Sequence, residues 1–128
     1  MQSVVLLLAR VLMAYIFLFA GYNKLLNIGP TEGFMQHLGL PAFFAYLTVL
    51  LELGGGMAVL LGVYTRVAAV LLAGFCLLTA MLVHFHPDDP GNMLHFMKNL
   101  SMAGGFLVLA LHGAGRISLG YQFRLRWS

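Results

Sequence analysis

Charged residues are scarce in this chain of 128 residues: seven are Lys or Arg, four are Asp or Glu, and together they make up 9% of the sequence. A soluble domain usually contains about a quarter charged residues. With 61% hydrophobic residues and a mean hydropathy of +0.91, so short a chain cannot keep its apolar surface away from water. The scarcity of charge excludes a soluble enzyme and a disordered chain. It predicts that a lipid bilayer surrounds most of the protein.

The chain also lacks a second cysteine and a run of basic residues ahead of its C-terminus. With Cys76 alone, neither a disulfide framework nor a dithiol relay within the chain can form. The net charge of +3 comes from basic residues scattered between apolar segments, whereas a nucleic-acid binder concentrates them in a patch. We therefore expect no nucleic-acid partner, and we interpret Cys76 as a packing residue.

Four long apolar segments are present instead. A helix needs about 20 apolar residues to cross roughly 30 Å of hydrocarbon, and four windows meet this requirement, at about residues 4–22, 42–63, 67–85 and 93–111. They are continuously apolar, whereas a barrel strand would alternate over about ten residues. The predicted fold class is all-α, an integral membrane four-helix bundle with antiparallel helices in up-down-up-down order.

The connections divide the chain further. Residues 27–41 read as a loop, and Gly62 to Thr65 make a very short turn, so the second and third spans should form a hairpin. Residues 1–116 form the membrane domain, and residues 117–128 form a basic and aromatic tail, either interfacial on anionic lipid or disordered.

Positive charge predicts the orientation of the bundle. Four spans place both termini on one side, and Lys24 and Lys98 on the other. The side of the termini carries all five arginines: Arg10, Arg66, Arg116, Arg124 and Arg126. By the positive-inside rule, both termini and the tail are predicted to be cytoplasmic.

Each predicted span has one face of small and polar residues, which should face the bundle interior. The four faces are Arg10, Ala14, Phe17, Gly21 and Lys24; Ala45, Thr48, Glu52, Gly55, Gly56 and Val59; Ala69, Ala73, Cys76, Ala80 and His84; and Lys98, Ser101, Met102, Gly105 and His112. A second small face, Gly54, Ala58 and Gly62, is open to close packing with a neighbouring helix or a second protomer, which would make a homo-oligomer.

Glu52 lies near the middle of the second span, where a carboxylate costs several kcal/mol unless it is neutral or paired. The sequence predicts that its partner is Arg10, in a structural ion pair that fixes helix register. The alternatives are a functional carboxylate that takes a proton or contacts a ligand, and a Glu52 that faces lipid. Because Arg10, Lys24 and Lys98 oppose this single interior acid, the interior suits a small anionic or carbonyl-bearing ligand better than a cation.

Polar residues also converge at the predicted outer ends of the helices. They are Tyr22, Asn23, Lys24, His84, His86, His95, Lys98 and Asn99. Such side chains commonly extend to lipid head groups. Alternatively they form a ligand site, for which Lys24, His84 and Lys98 are best placed and Asn99 is a further candidate. His84 and His86 would be splayed apart at a helix end, so no metal site is predicted.

Several motifs occur in order along the chain. They are Ala9-Arg10-Val11-Leu12 and residues 17–25, Glu52-Leu53-Gly54-Gly55-Gly56 and residues 60–66, His84-Phe85, and Lys98-Asn99-Leu100. In these motifs the sequence resembles the DoxX family of small bacterial inner-membrane proteins, over about residues 6–120. The resemblance implies a four-helix protein of the bacterial inner membrane. The family name comes from a relative of the small membrane subunit of thiosulfate:quinone oxidoreductase. The resemblance therefore also implies quinone or sulfur redox association, carried by Arg10, Lys24, Glu52, His84 and Lys98.

These observations favour a quinone-associated subunit of a membrane oxidoreductase, acting in sulfur or oxidative-stress redox chemistry. The chain has no intrinsic cofactor signature, so redox chemistry would need a bound quinone or a partner redox subunit. Two alternatives remain open at this stage. One is a non-catalytic membrane scaffold that recruits another protein. The other is a component of a small-solute transporter, in which two copies of the chain would combine.

Overall fold

The computed structural model describes residues 2–84 and 88–128, without the side chains at positions 83, 84 and 92. The described residues form the helices α1 (Gln2–Leu26), α2 (Gly29–His37), α3 (Phe43–Leu61), α4 (Thr65–Thr79), α5 (Pro90–His112) and α6 (Leu119–Gln122). A π-helical segment, Ala80–His84, continues α4. Four stretches are long and apolar enough to cross a membrane: Gln2–Leu26, Phe43–Leu61, Thr65–Leu82 and Met93–His112. The predicted all-α membrane bundle is confirmed.

Small residues let the long helices approach one another. α1 packs along α3, α4 packs along α5, and α3 contacts α4. Alanines such as Ala14, Ala45 and Ala69 are fully buried at these contacts, and the rings of Phe17 and Phe106 meet edge to face with centroids 5.4 Å apart. The outward faces carry large apolar side chains, which lipid can solvate.

The turn between α3 and α4 is as short as the sequence predicts. α3 ends at Gly62, whose φ of +76° lies in the left-handed region that favours glycine, and α4 begins only three residues later. A β-carbon at Gly62 would overlap Arg10 and Ser118, so a side chain is excluded here on steric grounds as well. The turn thus brings three separate parts of the chain together.

The predicted interior faces of the first three spans are largely buried, but the prediction for the fourth span is wrong by about one residue. In α5 the buried residues are Asn99, Ala103, Phe106 and Leu109. Lys98, Ser101 and His112 are exposed, and Met102 and Gly105 are half-buried. The prediction chose polar residues, whereas the helix turns Phe106 inward against Phe17 and leaves Lys98 at the edge of the interior.

A helix within the predicted loop 27–41 was missed. α2 has Pro30 in its first turn together with Glu32, and His37 in its last turn. Proline at a helix start, an acid in the first turn and a glycine after the end are recognised boundary signals, and Gly39 supplies the last of these. α2 packs against α3, where the Tyr46 hydroxyl donates to Glu32 Oε1 at 3.4 Å.

The C-terminal tail folds back onto the α3–α4 turn. The Gly120 N–H donates to the Gly62 carbonyl at 3.0 Å, and the Arg66 N–H donates to the Trp127 carbonyl at 2.9 Å. Ser118 caps α6 by accepting from the Tyr121 N–H at 3.1 Å. These hydrogen bonds hold the tail against the bundle, and its contact with anionic lipid stays a prediction. Gln2 and Ser128 both lie at this end of the bundle. That this end faces the cytoplasm stays a prediction.

A candidate ligand site between the helices

A cavity of about 440 Å³ lies among α1, α2, α3, α4 and α5. Its walls are largely apolar and aromatic, formed by Ile16, Phe17, Ala20, Pro30, Phe34, Met35, Phe75, Cys76 and Met102. Its polar lining comes from Lys24, Thr31, Thr48, Glu52, Thr79, Lys98 and Asn99. Small-molecule sites in proteins combine these two kinds of surface in volumes of about 300–1,000 Å³.

An ion pair at the cavity joins α1 to α3. Lys24 Nζ lies 2.6 Å from Glu52 Oε1, with the lysine side chain 33% exposed and the glutamate side chain 4% exposed. The predicted pairing of Glu52 with Arg10 is therefore wrong. Gly21 explains the geometry, since a β-carbon there would lie 3.2 Å from the Glu52 β-carbon, which places the two residues at the same level. Lys24 is one turn from this level, whereas Arg10 is about 16 Å away along α1.

The second carboxylate oxygen of Glu52 is buried and has no hydrogen-bond partner among the described residues. Buried polar atoms are nearly always satisfied, because leaving one without a partner costs about 1–3 kcal/mol. Glu52 lines the cavity, so a donor group of a ligand in the cavity would satisfy this oxygen. A hydroxyl or amine hydrogen is the kind of group that could fill this role.

A second polar contact joins α4 to α5 beside the cavity. Asn99 is 7% exposed, and its Nδ2 donates to Thr79 Oγ1 at 3.0 Å. The Thr79 hydroxyl in turn lies 3.0 Å from the Phe75 carbonyl, one turn earlier. α4 changes to π-helical geometry directly after Thr79, and such local changes are frequent at functional sites.

The structure brings together four of the six predicted site residues. Lys24, Glu52, Lys98 and Asn99 all line the cavity. Arg10 does not. It is 1% exposed at the opposite end of the bundle and donates to the Ile117 carbonyl. The side chain of His84 lies outside the described residues.

Sequence reasoning missed Ile16, Ala20 and Phe75, which lie beside the predicted interior faces, and two further groups of lining residues. Thr79 lies three positions after Cys76 on the predicted interior face of its helix, so that helical spacing could have identified it. Thr31, Phe34 and Met35 belong to α2, and they could have been found only if the boundary signals of that helix had been recognised.

Comparison with known proteins agrees with this architecture. The DoxX family model matches residues 5–85. The chain is 42% identical to the inner membrane protein YqjF of Escherichia coli (strain K12), over 99% of this chain and 98% of that protein. It is 38% identical to the inner membrane protein YphA of the same organism, over 92% of this chain and 89% of that protein.

A shorter match, 40% identical over 67 residues, covers 52% of this chain and 50% of CatD of Bacillus subtilis (strain 168), which is named as a candidate oxidoreductase. No solved structure matches the chain. The family match and the two nearly full-length relatives, together with four apolar helices, show that the chain belongs to the DoxX family of multi-pass inner-membrane proteins.

Proposed function

We propose that the cavity binds the head group of a quinone and that the chain is the quinone-associated membrane subunit of an oxidoreductase. The observation that carries this proposal is the Lys24–Glu52 pair in an otherwise largely apolar and aromatic cavity. The pair offers an ammonium donor beside a carboxylate oxygen that lacks a partner among the described residues. The two redox states of the ligand use the two groups in turn: a carbonyl of the quinone can accept from the ammonium, and a hydroxyl of the quinol can donate to the carboxylate oxygen.

The residues around the pair fit such a ring. The Lys24 ammonium has three hydrogens, and donation to Glu52 Oε1 leaves others for a ligand carbonyl. Glu52 Oε2 can accept from a quinol hydroxyl. The Phe17 and Phe75 rings, with centroids 6.3 Å apart, line the cavity and supply aromatic surface against which a planar ring packs.

A bound quinone would supply two-electron carrier chemistry. The residues of this chain would then bind and orient its head group and hold a proton acceptor at Glu52. The one thiol of the chain, Cys76, is 1% exposed and lines the cavity, and a single thiol cannot cycle between a dithiol and a disulfide within the chain. Exchange of electrons is therefore assigned to a partner redox subunit. The name of the Bacillus subtilis relative, CatD, supports an oxidoreductase context for the family.

The test is binding of short-chain quinones to the full chain purified in mild detergent. An organic extract of the protein should show quinone absorption in the ultraviolet, and added ubiquinone-1 or menadione should raise the melting temperature. The double variant Lys24→Met/Glu52→Gln, which removes both charges together, should weaken binding at least tenfold. Glu32→Gln is the matched control, because Glu32 does not line the cavity.

Folding of each variant is checked by gel filtration and circular dichroism before binding is compared. If the wild-type extract contains no quinone and neither compound shifts the melting temperature, the proposal is refuted. Equal binding by the wild type and the double variant would refute the assigned site even if quinone binds elsewhere.

A further inference from the structure

A second cavity, of about 750 Å³, lies at the opposite end of the bundle, where the start of α1 meets the end of α5 and the tail. We call it the basic cavity, because the charged side chains that line it are Arg66, Arg116 and Arg124, with His112 beside them. No acidic side chain is among its described lining residues. The four acids of the sequence, Glu32, Glu52, Asp88 and Asp89, all lie elsewhere in the chain.

The arginines of the basic cavity differ in how they are held. Arg66 is anchored at the C-terminal end of α5, where its guanidinium donates to the Leu111 carbonyl at 2.7 Å. Arg124 has a left-handed backbone, with φ of +54°, and the Leu125 N–H that follows it donates to the Gly120 carbonyl at 2.8 Å. Within the described chain, the guanidinium groups of Arg116 and Arg124 make no hydrogen bond and no ion pair.

A fourth guanidinium lies behind the wall. A β-carbon at Gly62 would overlap both Arg10 and Ser118, so the Arg10 guanidinium is next to Ser118, which lines the basic cavity. Arg10 is 1% exposed, and Nε and Nη1 lack partners among the described residues. A buried charge is poorly screened, so Arg10 adds to the positive potential of the basic cavity.

From this convergence we infer that the basic cavity binds a phosphate group. Arginine forks match the oxygens of phosphate and remain charged in proteins. The position also fits, because the basic cavity lies at the ends of membrane-spanning helices, where lipid phosphates are found, and basic pockets at this level bind anionic head groups. The phosphate would come either from an anionic lipid or from a free phosphate compound. The inference does not depend on quinone binding.

The experiment titrates the purified full chain with cardiolipin, phosphatidylglycerol, phosphatidylethanolamine and inorganic phosphate, read by native mass spectrometry and melting temperature. The double variant Arg116→Gln/Arg124→Gln should weaken binding of the anionic lipid or of phosphate at least tenfold. Arg126→Gln is the matched control, since Arg126 does not line the basic cavity and instead lies over the Trp127 ring at 5.3 Å. It should leave binding unchanged.

The two sources give different results. Binding of cardiolipin or phosphatidylglycerol that inorganic phosphate does not displace supports a lipid phosphate. Displacement by phosphate, or binding of phosphate alone, supports a soluble phosphate compound. The inference is overturned if neither anionic lipid nor phosphate binds. It is equally overturned if phosphatidylethanolamine, whose ammonium group neutralises its own phosphate, binds as tightly as the anionic lipids, or if Arg126→Gln weakens binding as much as the double variant does.

Discussion

Removing Lys24 should destabilise the protein more than removing Glu52, although the two are partners. Lys24→Met leaves a carboxylate that is 4% exposed at the centre of α3, and a charged group there costs about 2.5–3.5 kcal/mol. Glu52→Gln leaves a lysine that is 33% exposed near the end of α1 and can extend its ammonium to the head groups, so we expect a loss of about 0.5–1 kcal/mol. The double variant Lys24→Met/Glu52→Gln carries neither charge and should lose only about 1 kcal/mol, a coupling of about 2–3 kcal/mol.

The assay is reversible unfolding in mixed micelles, followed by far-ultraviolet circular dichroism, for the two single variants and the double. Lys98→Met is the matched control, because Lys98 lines the same cavity without a carboxylate partner in the described part of the chain. It should change the free energy of unfolding by less than about 0.5 kcal/mol. Arg10→Met combined with Glu52→Gln should be additive. Additive losses for Lys24 and Glu52, or a larger loss for Glu52→Gln than for Lys24→Met, would refute the reasoning.

Two further predictions concern the contacts that hold the helices together. Gly62→Ala should lower the free energy of unfolding by about 2–4 kcal/mol. The new side chain would sit on a left-handed backbone, and its β-carbon would overlap Arg10 and Ser118. Gly54→Ala, which has open space around it, should cause no loss, and equal losses in the same micelle assay would contradict this. Asn99→Ala should lose about 0.6–1.7 kcal/mol through its bond to the Thr79 hydroxyl. In a double-mutant cycle with Thr79→Val the two losses should not add, and full additivity would show that the bond contributes nothing.

The four membrane-spanning helices could be predicted because each carries a strong local signal. Continuous apolar runs of about 20 residues have few alternatives to a membrane-spanning helix. The short α3–α4 turn was also predictable, since Gly62 supplies the left-handed residue that ends α3. By contrast α2 is short and its composition is mixed, so its boundary signals at Pro30 and Gly39 also fit an irregular loop.

Much of the candidate site was predictable as a set of residues but not as a set of contacts. Helical spacing places Arg10, Lys24 and Glu52 on interior faces, yet it does not give the level at which α1 crosses α3. That level depends on where the two helices can approach closely, which Gly21 allows against Glu52 and Leu53 and Gly56 allows against Leu18. Helical periodicity shows that Arg10 and Lys24 lie on the same face of α1. Which of the two pairs with Glu52 depends on how α1 and α3 pack along their axes, and periodicity gives no information on that.

The correction at Glu52 also changes the meaning of Arg10. An arginine that is only 1% exposed in a membrane helix needs a hydrogen-bond partner. Arg10 donates to the Ile117 carbonyl, at the start of the tail. The matched family segment, residues 5–85, includes Arg10 but ends before Ile117. A single buried charge therefore ties the tail to the family's characteristic helices.

Because Gly62 accepts from the tail and also leaves room for Arg10, the α3–α4 turn, α1 and the tail are stabilised jointly. The contacts among the α3–α4 turn, α1 and the tail also position the arginines that line the basic cavity. The Lys24–Glu52 pair is positioned by Gly21, which lies eleven residues after Arg10 on α1. The two cavities therefore depend on different contacts, and substitutions at one should leave ligand binding at the other intact.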